Sequence, residues 1–132
     1  VNGIPSTDRG KIDAPVGRNP KQRTRMAVVP EGRPAVTWFT VRERYGACSL
    51  LDVRLETGRT HQIRTHLASI GHPIVGDSTY GRDPSLARSL GLDRPFLHAR
   101  RLVFSHPMTG ESMEFVAELP PDLAPVLERV KR

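Results

Sequence analysis

The chain has 132 residues, the size of one domain, with a formal charge of +6 and a pI near 10.4. Its single cysteine, Cys48, excludes an internal disulfide, fits a reducing compartment and reads as a small buried apolar residue. No apolar run approaches the roughly 20 residues of a membrane helix and no secretory leader is recognisable, so a soluble, cytoplasmic protein with no membrane partner is expected.

The apolar fraction of 37%, with 12 Pro and 11 Gly, predicts many turns around one modest core. Residues 1–9 read as polar, turn-rich and unanchored. A short edge strand follows at 11–16, where Pro15 would interrupt a central ladder. Arg18, Lys21, Arg23 and Arg25 then fall within eight residues with no acid among them. Such a loop is either a nucleic-acid contact or a solvated face. Of the 20 basic residues only Lys11, Lys21 and Lys131 are Lys. Arg grips phosphate with a planar fork that Lys lacks, although GC-rich coding would also favour Arg.

Residues 26–29 form another short strand, and Glu31-Gly32-Arg33-Pro34 is a turn by composition. The runs 35–44 and 47–56 alternate (Val36, Trp38, Thr40; Leu51, Val53, Leu55) and, split by Tyr45-Gly46, predict a β-hairpin. The period then changes. Ile63, Leu67 and Ile70 repeat at helical spacing, so a helix is expected over 60–70, with Thr57 or Thr60 accepting its free amides and Gly71 stopping it. Residues 72–75 read as extended, and 76–93 as loop with a helical turn near Leu86. The runs 96–105 and 112–119 predict a second hairpin around His106-Pro107-Met108-Thr109-Gly110. Leu123, Val126, Leu127 and Val130 predict a helix over 121–131, with Pro at a tolerated early position. The class is α+β, a mixed sheet of mostly antiparallel pairing with a few helices.

Chemistry-bearing residues are densest from Gly58 through Arg59, Thr60, His61, Gln62 and Arg64 to His66, and on to Gly76-Asp77. A helix start flanked by Arg59 and Arg64 suits a phosphate or a carboxylate, or it is a solvated helix with two ordinary arginines. Five histidines invite a metal, but His61 and His66 stand about 140° apart around a helix, and ligand pairs are placed four residues apart. No Cys or carboxylate set has ligand spacing, so no metal is expected. A histidine acid–base pair, His61 with His98 or His106, has no sequence reason to converge.

The run Arg54-Leu55-Glu56-Thr57-Gly58-Arg59-Thr60-His61-Gln62-Ile63-Arg64-Thr65-His66 resembles the signature of the RluA-type RNA pseudouridine synthases. So do Gly71-His72-Pro73-Ile74-Val75-Gly76-Asp77, Tyr80-Gly81, Leu97-His98-Ala99 and His106-Pro107. Upstream, residues 10–18 and 32–37 resemble the same family, and the segment bearing Arg23, Met26, Ala27 and Val28 is similar to its large-ribosomal-subunit members. The likeness runs through nearly the whole chain in the family's order.

The resemblance implies an enzyme that breaks the N-glycosidic bond of uridine in RNA, turns the uracil and rejoins it through carbon, without metal or organic cofactor. The target base must leave its stack, at a cost of a few kcal/mol. The family's nucleophile is the aspartate of a His-Arg-Leu-Asp motif, which this sequence does not contain. Asp52, Asp77 and Asp93 sit in other contexts. The family's active-site tyrosine belongs to the upstream part, so Tyr80 is expected to be structural. Arg64 matches the arginine that pairs with the missing aspartate. A guanidinium within about 4–6 Å lowers a carboxyl pKa by about 1–3 units and orients it through paired hydrogen bonds.

Four expectations follow. The chain (1–132) is the C-terminal portion of a pseudouridine synthase catalytic domain, separated from the upstream half that is its partner, and is inactive alone. Arg64 within it is expected to lack a partner. The substrate is RNA, ribosomal rather than transfer RNA, with Arg18, Lys21, Arg23 and Arg25 on phosphates and Arg59, Thr60 and His61 as further contacts. The alternative is a non-catalytic RNA-binding module that keeps the basic face of the fold.

Overall fold

The structure, a computed structural model, describes residues 1–81 and 83–131. It divides into two units, Val1–Phe96 and Leu97–Arg132.

The first unit is built on a three-stranded antiparallel sheet in the order β1 (Arg9–Asp13), β4 (Val36–Arg44), β5 (Ser49–Leu55). Side chains alternate faces along a strand, and the register places Gly10, Phe39 and Val53 in one row and Ile12, Thr37 and Leu55 in the next. Ile12, Thr37 and Phe39 of these are buried. The opposite face carries Lys11, Trp38 and Arg54 in one row, both cations lying within cation–π reach of the indole. The expected hairpin over 35–56 is therefore present, with a register shift between Val41 and Glu43.

The single strand expected at 11–16 is the end of one strand and the start of another. Pro15 offers no amide to a ladder, so the chain leaves β4 after Asp13 and begins β2 (Val16–Arg18), which pairs with β3 (Met26–Val28). The basic segment closes that small hairpin. Nor are the first residues unanchored: the amide of Asn2 donates to the Pro73 carbonyl, that of Gly3 to Ala47, and that of Ser49 back to Val1. Backbone bonds that composition cannot reveal tie this segment to β5 and to Pro73. Residues 72–74 join no ladder, and the turn into the Gly76 loop begins at Val75.

Helix α1 (Gln62–Ser69) is shorter than the expected 60–70 and starts without a side-chain cap. Thr57 and Thr60 do not cap it. The Gln62 carboxamide folds back instead, its Oε1 accepting from the Thr57 hydroxyl and the Arg59 amide, which fixes the preceding turn. The C-terminus follows expectation. Gly71 takes φ +84°, its amide reaches Ala68 and that of His72 reaches Leu67, the paired bonds of a Schellman end.

The buried face of α1 is not the apolar stripe. Leu67 is buried, but Ile70 is exposed and the rest of that face is Gln62, Thr65 and His66. A relay of hydrogen bonds replaces apolar packing. Gln62 Nε2 donates to Thr37 Oγ1 at 2.9 Å, and Thr37 Oγ1 lies 2.7 Å from His66 Nδ1. His66 Nε2 meets the Ala14 carbonyl at 2.8 Å. A carbonyl only accepts, so Nε2 carries the proton and Nδ1 accepts from the threonine hydroxyl. Every member of the relay is satisfied, and α1 is bolted to β4 and to the end of β1 at a fixed rotation.

After the Gly76 loop, α2 (Ser85–Ser89) supplies the expected helical turn. The second unit holds the hairpin β6 (Arg101–Ser105) with β7 (Ser112–Val116), and α3 (Ala124–Val130). Both strands are shorter than the runs 96–105 and 112–119, although the Ala117 amide still reaches the Arg100 carbonyl. Every strand pairing among the described residues is antiparallel, and the class is α+β, as expected. No helix among them is long and apolar enough to cross a membrane.

Candidate functional site

Fixing α1 through its polar face leaves Arg64 on its flank, next to the loop that follows the helix. Gly76 permits that loop: its φ is +88°, and a Cβ there would collide with the Arg94 carbonyl. Asp77 then turns the chain, its Oδ1 accepting from the amides of Thr79 and Tyr80. The same carboxylate meets Arg64, Nε donating to Oδ2 at 2.8 Å and Nη2 to Oδ1 at 2.9 Å. Asp77 is fully buried in its side chain, while the guanidinium keeps 20% of its exposure. Burial pushes the Asp77 carboxyl up, but the Arg64 bonds and the two amides outweigh it and hold the group below the usual carboxylate range.

Arg64 is therefore not without a partner, and the expectation that it would be is corrected. Asp77 was passed over in the sequence because its partner lies across a turn, 13 residues away. The available signal was an Asp directly after a glycine in a turn-rich segment, where its side chain accepts from backbone amides two residues on. The pair uses only one edge of the guanidinium. Among the described residues, Nη1 makes no hydrogen bond.

Tyr80 covers this ion pair. Its ring centroid lies 5.0 Å from the guanidinium carbon of Arg64, and its hydroxyl lies 2.8 Å from His61 Nδ1 and 3.1 Å from the Met26 amide. His61 itself sits in the left-handed region at φ 52°, the only described non-glycine residue with positive φ. Such backbone strain, of order 1–3 kcal/mol, gathers at functional sites.

The expected contact residues separate into two groups. His61 and Arg64 stand together, and Arg25 directly precedes Met26, so the end of the basic loop reaches the same place. Lys21 and Arg23 are exposed at the loop, whose backbone is folded by Asn19 Oδ1 accepting from the amides of Lys21 and Gln22. Arg18 donates to the Arg23 carbonyl. Arg59 is drawn aside, its Nε donating to the Pro34 carbonyl, and Thr60 is exposed. His98 and His106 belong to the second unit, where His98 meets the Ala117 carbonyl and His106 Nδ1 accepts from the amides of Met108 and Thr109.

Residues 1–69 match a family model described as RNA pseudouridylate synthase. The chain is 53% identical over 124 residues to an uncharacterized RNA pseudouridine synthase of Chloroflexus aurantiacus, covering 94% of this chain and 38% of the relative. It is 50% identical over 126 residues to ribosomal large subunit pseudouridine synthase D of Nitrosomonas europaea, covering 92% and 37%. The fold is similar to that of human RNA pseudouridylate synthase domain containing 1, with a TM-score of 0.77 and 30% identity over 94% of this chain and 54% of that one. The chain thus spans well under half the length of these curated relatives. The match of the family model, the close relatives and the shared fold agree: the chain belongs to the RNA pseudouridylate synthase family.

Proposed function

We propose that this chain is the Arg64-bearing C-terminal half of the catalytic domain of a cytoplasmic pseudouridine synthase that isomerises uridine in structured RNA, ribosomal RNA in particular. The observation that carries the reading is the open edge of Arg64. Asp77 takes Nε and one proton of Nη2, so Nη1 and the other Nη2 proton remain for a second carboxylate in end-on, two-pronged geometry. That carboxylate is the nucleophilic aspartate of a His-Arg-Leu-Asp segment in the upstream half of the domain. Arg64 keeps it ionised in a pocket that would otherwise favour the neutral acid, and it aims the oxygen at the flipped nucleotide. Arg18, Lys21, Arg23 and Arg25 hold phosphates, with Arg59, Thr60 and His61 as further contacts. Lacking the nucleophile, the chain alone is inactive.

Two measurements test this. The codons upstream of Val1 should encode His-Arg-Leu-Asp in frame; a start codon near Val1 with no such motif would leave only a non-catalytic RNA-binding module. In the full-length protein, Arg64→Lys keeps a cation beside buried Asp77 but loses the planar fork. Turnover on an unmodified large-subunit ribosomal RNA transcript should fall about 100-fold, the scale of one lost transition-state donor, with the RNA Kd little changed. Wild-type turnover would remove Arg64 from the chemistry.

A further inference from the structure

We infer that Tyr80 is a positioning residue that joins the basic RNA-gripping loop to the guanidinium of Arg64; the inference rests on the role proposed above for Arg64. Three parts of this residue hold three parts of the site. The guanidinium carbon of Arg64 lies over the ring, 5.0 Å from its centroid, while Nε and Nη2 bond to Asp77. A guanidinium bonded along one edge can still swing about that edge, and an aromatic face restrains the swing. The Tyr80 amide donates to Asp77 Oδ1, so the residue whose ring meets Arg64 is locked to the residue that holds its edge.

The hydroxyl serves the RNA side. The Met26 amide can only donate, so the phenolic oxygen accepts from it at 3.1 Å, and the hydroxyl proton is free for His61 Nδ1 at 2.8 Å. With the hydroxyl donating to Nδ1, the imidazole proton sits on Nε2, where the exposed ring offers a donor to a base carbonyl or a phosphate oxygen. The imidazole also stands edge-on to the phenol, with centroids 5.6 Å apart and planes at 80°. These contacts help hold His61 in its left-handed backbone conformation. Met26 opens β3 immediately after the basic loop, so a phosphate seated there bears on the same hydroxyl. A residue needed only to fill space would not need its ring, hydroxyl and amide each engaged in this way.

The test separates ring from hydroxyl in the full-length protein, with an unmodified large-subunit ribosomal RNA transcript as the probe. Tyr80→Leu removes the ring, and kcat should fall about 10–100-fold, the cost of a reacting group misplaced by about 1 Å. Tyr80→Phe restores the ring and should bring kcat back to within about twofold of wild type, while KM stays raised by about 3–10-fold for the lost hydroxyl bonds. The inference is overturned by wild-type kcat in Tyr80→Leu, by a kcat in Tyr80→Phe as low as in Tyr80→Leu, or by an unchanged KM in Tyr80→Phe. Thermal melts accompany both variants. Should the leucine variant not fold, the split between kcat and KM in Tyr80→Phe decides alone. Arg64→Lys is measured alongside. Wild-type turnover there sinks the role of Arg64 itself, whereas slow Arg64→Lys beside unimpaired Tyr80→Leu sinks the inference about Tyr80 only.

Discussion

The hairpins β4–β5 and β6–β7 have similar local grammar and different surroundings. Both are antiparallel, and both carry apolar residues along their strands. On β4, Thr37 and Phe39 are buried, and α1 is bonded onto that face through Gln62 and His66. On β6 and β7 the apolar side chains are exposed to both sides: Leu102, Phe104 and Phe115 on one face, Val103 and Val116 on the other. Leu102 keeps 59% of its exposure and Val116 63%. Within the second hairpin, the described contacts include its own ladder, the stacked rings of Phe104 and Phe115, and a surface pair of Arg101 with Glu114. A two-stranded ribbon is marginal on such terms, and an exposed apolar patch of this kind marks a surface that another partner covers. On the function proposed above, the upstream half would be that partner; the chain spans about two fifths of the length of these relatives.

The strongest way to sharpen the contrast is to break the packed unit at its buried charge. Asp77→Ala strands Arg64 and leaves the amides of Thr79 and Tyr80 unpaired. Breaking a buried pair costs about 3–5 kcal/mol, and the residual exposure of Arg64 puts this one at the lower end. The loss should depend on pH with a definite sign. The folded pKa of Asp77 lies below its unfolded value, so its contribution is complete above the unfolded pKa of about 3.9 and disappears as pH falls through the folded pKa. Urea unfolding of wild type and variant should show a gap at pH 7 that closes in acid. A constant gap would mean the carboxylate acts only by filling space.

Next in size is Thr37→Val, which keeps volume but removes the hydroxyl in the middle of the relay. Gln62 Nε2 and His66 Nδ1 then lose a buried partner, at roughly 2–3 kcal/mol. A loss below about 0.5 kcal/mol, the range of an ordinary surface substitution, would show that α1 is held by Leu67 and its apolar contacts after all.

This relay also marks where sequence reading stops. The hairpins and the Gly71 stop were legible because each is written locally, in alternation or in a left-handed glycine. The buried face of α1 was not, because Ile63, Leu67 and Ile70 advertise an apolar stripe while the helix docks through residues that count as polar. Asp77, Tyr80 and Met26 escaped for a related reason. Their roles exist only between segments up to 54 residues apart, and no periodicity encodes such pairs. Pro15 was read as confining 11–16 to one edge strand, yet the strands on its two sides join different sheets, which depends on partners chosen elsewhere in the chain.

The open hairpin makes a prediction of association. The chain alone should self-associate and bind an apolar dye through β6 and β7. Leu102→Thr with Phe115→Thr keeps β-propensity on that face and removes its apolar surface. Sedimentation velocity should shift toward monomer, while unfolding of the first unit changes by no more than about 0.5 kcal/mol. A wild-type chain that is already monomeric, with a cooperative melt and low dye binding, would show that the hairpin needs no cover.

The smallest effect belongs to the basic loop, where the fold and the function are separable. Lys21 and Arg23 are exposed, and the loop's shape comes from Asn19 and from backbone bonds between 19 and 25 rather than from those two side chains. Lys21→Ala with Arg23→Ala should therefore leave the melting temperature unchanged. Arg18 is a poorer choice, because its guanidinium donates to the Arg23 carbonyl and its loss would disturb the loop as well as its charge. If the two side chains sit on phosphates, each contact removed flattens the log–log dependence of RNA affinity on salt by about 0.7 on single strands and about 0.9 on a B-form duplex. The measurement is a salt titration of binding to the ribosomal RNA transcript, and a slope that does not move takes this loop out of the interface.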